Sequence, residues 1–93
     1  MSHDTHPQAS VLRQRAATLR ELAGSIERSI VMTLEELAAD VSWSSPRTRL
    51  CEAMLARNLH QLHRAADELR DTAFRMNARA GELEHSARLR ATA

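Results

Sequence analysis

Residues 41–47 read Val41-Ser42-Trp43-Ser44-Ser45-Pro46-Arg47, and they break a chain whose apolar positions otherwise recur every three or four residues. Pro46 cannot sit inside a helix, yet it suits the first helical position, where its missing N–H has no partner to lose. It also pushes Ser45 out of helical backbone, which is the geometry an N-cap serine needs. The stretch therefore predicts one helix ending near residue 41, a loop over 42–45 and a second helix starting at 46.

Outward from the break, both arms carry a helical period. Toward the N-terminus the series is Ala9, Leu12, Ala16, Leu19, Ala23, Ile26, Ile30, Thr33 and Leu37. Toward the C-terminus it is Leu55, Leu59, Leu62, Ala66, Leu69, Ala73, Met76, Ala80, Leu83 and Ala87. Ser29-Ile30-Val31-Met32-Thr33 has strand-like composition, but it lies inside the first stripe with no Gly or Pro beside it, so periodicity overrides propensity. Thr5-His6-Pro7-Gln8 reads as a capping box. The expectation is one all-α domain over 1–93, with helix 1 over about 6–41 and helix 2 over about 46–89.

A short loop makes the helices antiparallel. Folding about residue 44 sets Leu12 against Met76, Ala16 against Ala73, Leu19 against Leu69, Ala23 against Ala66 and Ile26 against Leu62. Small then meets small and large meets large. This register leaves Leu83 and Ala87 without partners, so helix 2 is expected to overhang at its C-terminal end. One alanine-rich seam buries little surface against the entropy of ordering a chain of this size. Leu34 and Val41 on helix 1, with Trp43, Leu50, Cys51 and Met54, add more apolar surface than that seam covers. These residues are expected to bind a second hairpin, completing a four-helix bundle. Trp43, a loop tryptophan, reads either as a docking anchor for that partner or as a structural plug of the loop.

Composition narrows the function. Thirteen arginines stand against twelve acids with no lysine, so no strong pull toward nucleic acid or membrane is encoded. Trp43 and Phe74 are the only aromatics, too few for base stacking. Residues 1–10 are polar and resemble no signal peptide, and no apolar run is long enough for a membrane span. His60 and His63 stand one turn apart without further ligands, so a metal site is not expected. Cys51 is expected to be a small buried hydrophobe. Asp71 with Arg75 and Glu84 with Arg88 have the spacing of solvated i,i+4 pairs. Ser44 and Ser45 lack a plausible histidine and acid nearby. No catalytic residue, cofactor or metal is expected, and the chain reads as a binding protein and not an enzyme.

A helical hairpin with Trp43 in a short central loop resembles the WXG family, the small ESAT-like proteins of type VII secretion in actinobacteria and some firmicutes. The loop motif Trp43-Ser44-Ser45-Pro46, followed by spaced Leu and Ala with Arg between them, carries the likeness; Ser45 stands where the family has glycine. The resemblance implies pairing with a homologous hairpin, a second copy among the candidates, or with the helical N-terminal region of a larger effector. It also implies delivery of the folded pair to a type VII machine. The export element Tyr-x-x-x-Asp/Glu of that family has no counterpart, because the chain has no tyrosine. The expectation is a cytoplasmic protein that leaves the cell only with a partner carrying the signal. The alternative is a cytoplasmic coiled-coil scaffold or regulatory subunit that is never exported.

Overall fold

The computed structural model describes residues 6–39 and 46–92. They form two helices, α1 over Pro7–Ala39 and α2 over Pro46–Thr92, packed side by side as an all-α helical hairpin. Residues 40–45 lie outside the described residues, and with them the expectations for Val41, Trp43, Ser44 and Ser45. Pro46 opens α2, as its fixed φ and missing donor dictate. That helix runs on to Thr92, three residues past the expected end.

At the other start His6 caps the helix, while Thr5, the first residue of the expected capping box, lies outside the described residues. Nδ1 of His6 accepts from the backbone N–H groups of Gln8 and Ala9 at 3.2 and 3.4 Å. The backbone ladder opens with the Ser10 N–H donating to the His6 carbonyl at 2.9 Å. An imidazole nitrogen thus serves donors that a shorter hydroxyl would otherwise take. The β-branched stretch 29–33 is helical, and the Thr33 hydroxyl donates back to the Ser29 carbonyl at 2.8 Å.

At about 1.5 Å per residue, 47 residues of α2 account for the 72 Å length of the molecule. The other extents, 21 and 12 Å, are those of two helices abreast and one helix deep. Among the described residues the core is a line of positions one heptad apart, alanine at all but one: Ala9, Ala16, Ala23 and the larger Ile30 on α1, and Ala66, Ala73 and Ala80 on α2. Methyl against methyl lets the backbones come close, which is how a seam without large side chains still excludes water.

The register differs from the expected one by a full heptad. Arg13 pairs with Glu84 and Glu27 with Arg70 across the helices, and Leu19 shares a surface groove with Met76 while Leu12 shares one with Leu83. These contacts set Ala16 level with Ala80, Ala23 with Ala73, and Ile30 with Ala66. The reason lies in the sequence itself. An alanine every seven residues makes the seam degenerate, so a slip of seven still matches small to small. The layers beside the seam break the tie. The folding about residue 44 would face Leu37 with Glu52 and Arg20 with Arg70; the observed register gives Leu37 Leu59 and gives Arg70 Glu27. Charges flanking the seam choose the register, as they do in coiled coils.

This shift moves the overhang to the opposite end. Leu83 now lines a groove with Pro7, Val11 and Leu12 and Ala87 is half-buried, while Arg88 through Thr92 remain exposed. The last described turn of α1 stands level with residue 57, and residues 46–56 of α2 extend past it.

Candidate functional site

The two ends of the hairpin are packed differently. Among the described residues, all seven buried side chains lie between Ala9 and Ile30 or between Ala66 and Ala80. Among the described residues of the loop half, 31–37 and 46–65, none is buried. That half instead holds six of the ten exposed large hydrophobics: Val31, Met32, Leu34, Leu50, Met54 and Leu62. The cause is steric as well as positional. Beyond the layer of Ile30 and Ala66, large residues (Leu37 and Leu59) replace alanine and stay half-exposed, and beyond Ala39 the described part of α1 gives α2 no neighbour.

Three of the expected partner-binding residues can be placed. Leu34 is 47 % exposed, Leu50 63 % and Met54 60 %. Leu50 and Met54 are one turn apart on the overhanging start of α2, where Pro46 and Arg49 through Met54 are all exposed. Leu34 lies on α1. Val41 and Trp43 fall outside the described residues, so the structure brings Leu50 and Met54 together and leaves Leu34 on the neighbouring helix.

Cys51 corrects a sequence expectation. It is exposed, not buried. Glu84 corrects another: it pairs across the helices with Arg13 and not with Arg88. Asp71 does bond Arg75, and an Arg79–Glu82 pair stands one turn further on.

The interhelical ion pairs lie on one side of the alanine seam. Each guanidinium holds its carboxyl partner below the usual carboxylate range, chiefly through the hydrogen bond, and each arginine is raised in turn. On the other side the seam is flanked by half-exposed Leu12, Leu19, Met76 and Leu83, with exposed Val11 beside them. The hairpin thus has a strapped face and an open apolar face. Sequence reasoning missed Val11, Leu22, Val31 and Met32 as exposed surface (44, 50, 53 and 60 %); only the register and the helix outer faces reveal them.

Among the described residues no group of three or more His, Cys, Asp or Glu gathers as a metal site, and no helix is long and apolar enough to cross a membrane. What the arrangement presents is exposed apolar surface on both helices. Comparison with protein-family models, with curated proteins and with solved structures finds no match to this chain.

Proposed function

We propose that this hairpin is a protein–protein interaction module whose loop half is completed by a partner helical hairpin. In the type VII pattern that the loop sequence resembles, it would serve as co-secreted partner, adaptor or targeting subunit. The observation that carries the reading is the unburied loop half, with Leu34, Leu50 and Met54 exposed among residues none of which is buried. A helix hydrophobic on a face that its own fold leaves wet is stabilised by whatever covers it. Leu50 and Met54 would enter the partner's core, each worth about 1.5–3 kcal/mol on full burial. A sister hairpin or the helical start of a larger effector offers the matching apolar stripe, and four helices give the core that two lack.

The test is co-expression with proteins encoded beside this one, followed by capture and mass measurement. A stoichiometric complex with a small helical protein, lost in Leu50→Glu/Met54→Glu, is the expected result. The same pair assayed in the culture filtrate of a type VII-competent host separates an exported partner from a scaffold that stays inside. A complex that survives the double substitution unchanged overturns the reading.

A further inference from the structure

A second surface lies on the flank of α2, one residue past the buried alanine line, in the well-packed half and away from the loop end. Phe74 is the most exposed large hydrophobic of the described residues, at 72 %. One heptad later, on the same line of the helix, stands Gly81, where an added Cβ would meet nothing within 4 Å. The hairpin itself therefore has no steric need for a glycine there, in the middle of a 47-residue helix that alanine would favour. A projecting ring and a vacant position at heptad spacing are complementary to each other, but they cannot meet within one straight helix.

We propose that this face binds a second copy of the chain, α2 against α2 in antiparallel orientation, about a two-fold axis passing beside Ala78. The axis sets Phe74 of each copy over Gly81 of the other, which is the self-complementary pairing an isologous contact requires. It also passes between Asn77 and Ala78, so the small side chain of Ala78 from each copy stands beside the axis and lets the helices approach. The charges agree with the same axis. Asp67 and Arg88 lie on the line of Phe74 and Gly81, one heptad further out on each side, so Asp67 of one copy faces Arg88 of the other, twice. Among the described residues the ion pairs of the hairpin leave both of these exposed groups out. A parallel arrangement in register would instead place Asp67 against Asp67 and Phe74 against Phe74. The contact involves one helix per copy, which puts it at the small, weakly associating end of protein interfaces. It is independent of the loop-end surface.

Sedimentation equilibrium of the full chain over about 1 to 500 µM covers that weak range. The Leu50→Glu/Met54→Glu chain is the background, so that association through the loop end is removed. A monomer–dimer equilibrium is expected there, weakened by about tenfold or more in Phe74→Ala and in Gly81→Leu, with helicity retained because both sites are open in the hairpin. Asp67→Arg is expected to weaken it as well, and Asp67→Arg/Arg88→Asp to restore it. A monomer at every concentration overturns the proposal, as does a dimer indifferent to Phe74→Ala and Gly81→Leu. Neither result touches the capture experiment on the loop half, so the two ideas fail separately.

Discussion

From Ala9 to Ile30 the hairpin is closed, and from Val31 to Leu37 it is open, although both stretches belong to the same unbroken helix. The closed half is built from alanine and the open half from larger apolar residues. This inverts the usual association of size with burial. Alanine contributes little transfer free energy by itself, but it lets two backbones approach until even small side chains exclude water. Leucine and methionine contribute more, and only if something lies opposite them. The difference teaches that burial along this hairpin follows how closely the helices approach and not side-chain size, and substitutions at matched chemistry should separate the halves.

The largest effect is expected where the seam is tightest. Ala73→Leu forces a side chain between backbones and should cost about 1–3 kcal/mol by chemical denaturation. The same change at exposed Ala53, on the overhang, should be within about 0.5 kcal/mol of wild type. Equal losses at the two sites would erase the distinction between halves. Next comes Gly81→Ala, which meets open space and gains helix propensity, raising stability by about 0.8–1 kcal/mol. A loss on that substitution would mean the position is crowded in solution.

Smaller again are the straps of the closed half. In Glu27 and Glu84 the folded carboxyl titrates below its unfolded value, so their contribution is present above the ordinary carboxylate range. It is lost as pH falls through the lowered folded values. Glu27→Gln with Glu84→Gln should therefore flatten the acid limb of stability against pH while leaving the neutral fold helical. An unchanged limb would remove the straps from the account. Because both pairs are exposed, added salt should weaken them too. The smallest effect on the isolated chain is expected for Leu50→Glu, since a residue exposed to this degree has few folded-state contacts to lose. Its thermal transition should match wild type at low concentration and diverge as concentration or partner rises.

Much of this architecture was legible before any coordinates. The two stripes, the helix start at Pro46 and the alanine seam follow from period and from proline chemistry. Register was not legible from the seam, because Ala9, Ala16 and Ala23 repeat at the same interval as Ala66, Ala73 and Ala80. It was legible one layer out, in the clash of Arg20 with Arg70 and the mismatch of Leu37 with Glu52. The candidate site was found in part for a related reason. Leu34, Leu50 and Met54 stand out as surplus to a seam, whereas the end at which α2 overhangs depends on register.

The shape of the rod bears on every measurement of mass. Its radius of gyration is 20.9 Å, whereas a compact domain of 93 residues has about 12 Å. Such a particle drags more solvent and diffuses more slowly than a sphere of equal weight. On a gel-filtration column calibrated with globular standards, a lone hairpin elutes early, where a larger globular protein is expected. Elution volume therefore overstates its association state, and light scattering or sedimentation equilibrium, which weigh the particle independently of friction, are the measurements that count copies.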